Sequence, residues 1–101
     1  MRLMWIMFGV ALVAVACGGP AEDASGEEIY LQVCARCHAP DMSGGLGPAL
    51  GPESEAAERS DDFLIDAITH GRGRMPSFAQ TLSEAQIRRA VDYLRLVQAG
   101  T

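Results

Sequence analysis

Lysine is absent from this chain of 101 residues: its eight basic residues are all arginine, set against thirteen acids for a net charge of −5. An acidic, lysine-free surface excludes nucleic acid and direct adsorption to anionic lipid headgroups, because both are gathered by dense positive charge. Metal-ligating residues are also scarce, at three cysteines and two histidines. A structural zinc site wants four ligands, and beyond Cys34, Cys37 and His38 the chain offers only Cys17, inside an apolar leader, and His70. No segment reads as a strand, so the βαβ frame that accompanies a thioredoxin-like Cys-x-x-Cys disulfide is missing too.

What the chain does have is Cys34-Ala35-Arg36-Cys37-His38. Two thiols three positions apart with a histidine beside the second make the attachment pattern of a c-type haem. On one helical turn each thiol can add to a porphyrin vinyl group, and the next residue brings an imidazole under the iron. His38 is then the proximal ligand. A disulfide or a zinc site would use the same cysteines, but each lacks its remaining parts.

Residues 1–16 carry one charge, Arg2, and an apolar run over 3–16 that ends in small residues, which reads as a signal peptide for export. The run is short for a membrane span. Val13-Ala14-Val15-Ala16-Cys17 resembles a bacterial lipobox, so Cys17 is expected to become an acylated first residue, with 17–25 as a flexible tether to the domain. An unpaired cysteine in an oxidising compartment otherwise has no use. The haem-bearing domain is expected over 26–101. Removing Arg2 with the leader makes the remainder one unit more acidic than the whole chain. So small a domain has little core of its own, and the prosthetic group is expected to serve as core as well as active centre.

Ser25 and Glu28 have capping-box spacing, and Ile29, Val33 and Cys37 recur at helical intervals, so a first helix is expected to run into the haem motif. In the neighbouring row, Gly26 leaves room for another helix to approach Tyr30 and Cys34. Residues 39–52 hold three prolines and four glycines and read as a loop. Residues 53–58 read as a short solvated helix or loop. Ser60 with Asp61 and Asp62 marks a helix start, Phe63, Leu64, Ala67 and Ile68 supply its buried face, and Gly71 ends it. Ser83 and Gln86 make a capping box for the last helix, with Leu82 and Ile87 as a hydrophobic staple. Ile87, Ala90, Val91, Leu94 and Val97 form its apolar face, and Glu84 to Arg88 and Asp92 to Arg95 are expected ion pairs.

The candidates for the far side of the iron are Met75, Met42 and His70. Met75 is expected to serve, because it lies on a loop far enough from His38 to cross the haem, beside Pro76 and after Gly71 and Gly73. Met42 sits four residues after His38, too near to cross without an awkward excursion. His70 ends a helix, where an imidazole can cap carbonyls.

Together these residues resemble the class I c-type cytochromes, small single-haem electron carriers. The resemblance runs from Gly26 and Tyr30 through Cys34-x-x-Cys37-His38, Gly47-Pro48-Ala49-Leu50 and Ile68-x-x-Gly71 to Met75-Pro76-x-Phe78 and Tyr93-Leu94. It implies an all-α fold of three to four short helices around one covalently attached haem c. It implies thioethers at Cys34 and Cys37, with His38 and Met75 as axial ligands. The Pro48 carbonyl would accept the other imidazole N–H, and Leu50, Ile68 and Phe78 would line the pocket. The missing lysines are a departure, since no lysine-ringed docking face is available.

With both axial positions filled, the expected activity is outer-sphere electron transfer between redox protein partners, by a carrier rather than an enzyme. The protein would be a monomer or a subunit of a respiratory complex on the outer face of the membrane. Arg36, Arg72 and Arg74 adjoin the haem segments and are the expected docking charges. The alternative is a ligand-binding haem protein, a gas sensor or weak peroxidase, acting through a labile Met75.

Overall fold

The computed structural model describes residues 19–100. The leader, Cys17 and its lipobox lie outside them. Ser25 caps the N-terminus of α1 (Gly26–Ile29) by accepting the Glu28 N–H. The reciprocal half of the expected box is not made, because the Ser25 hydroxyl donates to the Glu28 carboxylate instead. A π-helical turn (Tyr30–Cys34) follows, closed by the Ala35 N–H on the Tyr30 carbonyl, and leads into α2 (Ala35–His38). The wider turn breaks the 3.6-residue period, so Cys37 does not continue the row of Ile29: Cys37 is exposed and His38 is buried.

After the loop comes a 3₁₀ turn (Glu55–Glu58), then α3 (Asp61–His70), capped by Ser60 and ended at Gly71, whose φ is +79°. The last helix, α4 (Glu84–Gln98), has the complete capping box of Ser83 and Gln86. Among the described residues there is no strand, only an isolated bridge between Arg72 and Met75. The expected all-α architecture is present.

α4 is the hub. α1 crosses it at Gly26, where a Cβ would lie 2.9 Å from that of Tyr93 and closer still to the Arg89 carbonyl. The Tyr30 and Tyr93 rings meet there, with centroids 5.7 Å apart. Ile29, Tyr30, Leu64, Ile68, Ile87, Ala90, Val91 and Leu94 are buried in this core, and Leu82 and Ile87, the expected staple residues, are both buried in it.

Two polar features of α4 differ from expectation. Neither the Glu84 to Arg88 pair nor the Asp92 to Arg95 pair is formed: Arg95 reaches Asp61 at 2.7 Å and also donates to the Ala56 and Arg59 carbonyls. Part of the segment expected to be a flexible tether is docked. The Gln86 amide donates to the Pro20 and Ala21 carbonyls at 3.1 and 3.0 Å, Arg89 donates to the Ala24 and Glu22 carbonyls, and Ala24 is buried.

Candidate functional site

Helix α2 ends at His38 because Ala39 leaves the helical region at φ +68°, an uncommon conformation for a residue with a Cβ. The buried Tyr30 hydroxyl donates to the Ala39 carbonyl at 2.6 Å and holds that turn. The imidazole is buried, and its Nδ1 lies 2.7 Å from the Pro48 carbonyl oxygen. A carbonyl can only accept, so Nδ1 carries the proton and Nε2 keeps a lone pair for a metal. Gly47 packs on the ring: a Cβ there would sit 2.8 Å from His38 Cε1.

A cavity of about 790 Å³ opens beside this imidazole. Cys34, Cys37, His38, Pro48, Leu50, Ile68, Met75 and Phe78 all line it, so residues expected at one site from four stretches of sequence are brought together. The Cys34 thiol is pushed up to about 11, first by burial and then by Cys37, so it stays protonated near neutrality.

Met75 is presented by a short turn rather than by a helix. Arg72 and Met75 exchange backbone hydrogen bonds at 3.0 and 2.9 Å. Gly71 must be glycine, since a Cβ would lie 2.6 Å from the Met75 carbonyl oxygen. The Phe78 N–H bonds to the Ile68 carbonyl and the Ser77 hydroxyl to that of Thr69, which ties the turn back to α3. Met42 does not line the cavity; it is buried in the core at φ +63°. His70 also lies away from the cavity, in solvent, 3.7 Å from Asp66 rather than capping carbonyls.

The arginines divide differently from expectation. Arg72 and Arg74 line the cavity and Arg36 does not; its guanidinium turns back to the Gln32 carbonyl. Arg59, which the sequence did not single out, joins them, and both Arg59 and Arg72 lie over the Phe63 ring. Arg59 stands four residues before Phe63, a spacing that hints at contact on a helix, but nothing local indicates Arg72.

Residues 21–94, which contain every element above except the last residues of α4, match the family model of cytochrome c oxidase, cbb3-type, subunit III. The chain belongs to this family of c-type cytochromes. Cytochrome c55X of Stutzerimonas stutzeri is 39% identical over 94 residues, covering 89% of the chain and 79% of that protein. Dihydro-heme d1 dehydrogenase of Pseudomonas aeruginosa is 38% identical over 96 residues, but the chain, 93% of it aligned, spans only 19% of that protein. Among solved structures, the c-type cytochrome NirC superposes with a TM-score of 0.62 at 34% identity, covering 70% of the chain and 85% of NirC. The fold is the cytochrome c fold, and the cytochrome functions in electron transfer through covalently bound haem c.

The residues present fit that group. The cavity is within the ~300–1,000 Å³ of cofactor pockets and is walled mostly by apolar side chains. It carries both thiols and an imidazole whose second nitrogen is already fixed by Pro48, as metal-ligating histidines require.

Proposed function

We propose that the cytochrome is an exported one-electron carrier whose iron is held by His38 and Met75, with Cys34 and Cys37 as thioether anchors and Cys17 as a lipid anchor. The observation that carries the reading is that Met75, unlike Met42 and His70, lines the same cavity as the two cysteines and His38. The bound haem supplies one-electron exchange between Fe(II) and Fe(III). The chain's own residues do the rest. The hydrogen bond to Pro48 fixes the His38 tautomer and raises its basicity. The Met75 thioether would fill the coordination site that a substrate would need, which favours an electron carrier between redox protein partners over an enzyme. Leu50, Ile68 and Phe78 exclude water from the group. Export and the lipid anchor are supported by residues 1–17 and by the attachment of such haem outside the cytoplasmic membrane in bacteria.

The test combines intact mass of the exported full-length protein with the near-infrared spectrum of its oxidised form. The expected mass includes one haem and acyl chains on Cys17, and the expected spectrum has a sulfur-to-iron charge-transfer band that disappears in Met75→Ala. An unacylated Cys17 overturns the anchor. A resting protein without the band, taking up carbon monoxide rapidly when reduced, overturns the carrier in favour of a ligand-binding haem protein.

A further inference from the structure

The Arg59 and Arg72 guanidinium carbons lie 4.9 and 4.8 Å from the centroid of one ring, that of Phe63, and all three side chains line the haem cavity. Two like charges on a single ring repel each other, so the arrangement calls for a counter-charge. Arg59 has one in Glu55, one turn away. Arg72 has none: among the described residues no carboxylate pairs with it. Less exposed arginines elsewhere are compensated, Arg95 by Asp61 and Arg89 by the Ala24 and Glu22 carbonyls. Arg36, Arg74 and Arg88 also lack a carboxylate partner among the described residues, so what distinguishes Arg72 is its place. It shares one aromatic ring with a second arginine at a cavity walled mainly by apolar side chains. Three arginines there face the single carboxylate of Glu55, an excess of positive charge that suits an anionic ligand.

Haem brings two carboxylates to its cavity. We propose that Arg59 and Arg72, aligned by the Phe63 ring, form the receptor for a haem propionate, with Arg72 supplying the charge that no protein carboxylate neutralises. The inference rests on haem occupying this cavity and is independent of which residue ligates the iron opposite His38. A planar guanidinium stacks on an aromatic face while its N–H fork grips a carboxylate with two parallel hydrogen bonds, so Phe63 fixes the donor before the acceptor arrives. Arg74 lines the same cavity without an aromatic platform, which leaves it the less organised of the three. A positive charge held there also disfavours the more positive of the two iron states and so raises the reduction potential.

Two measurements on the full-length exported holoprotein test this. In the reduced, diamagnetic protein, proton NMR should show nuclear Overhauser contacts from the Arg59 and Arg72 guanidinium N–H groups to the propionate methylenes. In potentiometric titrations, Arg72→Gln should lower the midpoint potential relative to both the unmutated protein and Arg36→Gln, whose side chain lies off the cavity. Arg72→Lys, which keeps the charge but not the fork, should recover most of the shift. Absence of propionate contacts from both arginines overturns the proposal, as does an Arg72→Gln potential equal to that of Arg36→Gln. If Arg72→Gln changes only the ionic-strength dependence of electron transfer to a partner, the arginine serves docking and the proposal is likewise overturned. Should Arg72→Gln fail to accumulate with haem, the contacts in the unmutated protein decide. A mass without haem would instead overturn the assignment of the cavity.

Discussion

Tyr30 spends its hydroxyl on the Ala39 carbonyl and so pays for a backbone turn that only a few non-glycine residues adopt. Tyr30→Phe should cost about 1 kcal/mol of folding stability near neutrality, read by denaturant titration of the haem-loaded protein. It should also change the alkaline limb. Burial is the largest cause that pushes the phenol from 10.0 up to about 12, followed by charge on Cys34, which is lost once its sulfur is a thioether, and by Tyr93 and Asp41, which remain. The unfolded chain therefore ionises first: the stabilisation is complete below pH 10 and is lost as pH rises towards 12. That loss should be smaller in Tyr30→Phe. Gly47 is constrained more directly, by the imidazole that a Cβ would strike. Gly47→Ala should cost about 1–3 kcal/mol, and the haem-loaded protein should show a shifted midpoint potential because the His38 to Pro48 bond must move.

Helices α3 and α4 were legible because each carries its own start signal, Ser60 with two acids and Ser83 with Gln86, followed by an apolar face of regular period. A close helix approach at Gly26 was legible for a similar reason, but that the neighbour is α4 emerges only from the fold. Gly26→Ala should push α1 away from Arg89 and Tyr93 and destabilise by about 3 kcal/mol, measurable as a lower midpoint of thermal unfolding. What was not legible depends on partners remote in the chain. Arg95 reads as one half of a local pair with Asp92, yet it clamps Asp61 and the carbonyls of the 3₁₀ turn, and Gln98 takes the Leu50 carbonyl. Residues 17–25 read as a tether, rich in glycine, proline and acids, and the Gln86 and Arg89 groups that dock Pro20, Ala21, Glu22 and Ala24 lie more than sixty residues away. The π turn escaped because a 3.6-residue template has no place for one extra residue. At the site, the grouping of Cys34, Cys37, His38 and Met75 around one cavity was readable from Cys-x-x-Cys-His and the Met-Pro loop, whereas the paired arginines on Phe63 emerge only from the fold.

At the scale of the whole molecule, the helices close around a cavity as well as around a small cluster of buried side chains. So few buried residues cannot offset the entropy of ordering a chain of this size, and the bound group must complete the core. The Cys34→Ala, Cys37→Ala double variant should therefore be exported without covalent haem, with most of its far-ultraviolet circular dichroism lost and no cooperative thermal transition. An apoprotein that unfolds cooperatively would show instead that the helices suffice. The same closure bears on speed. The Met75 turn has its backbone locked by reciprocal hydrogen bonds to Arg72, a glycine that admits no side chain, and ties to α3 on its far side. If Met75 ligates the iron as proposed, a sulfur carried on such a mount would be offered to the metal at one position in both oxidation states. In the language of rate theory the inner-sphere reorganisation energy would then be small, and the distance to a partner, rather than rearrangement at the iron, would set how fast the electron leaves.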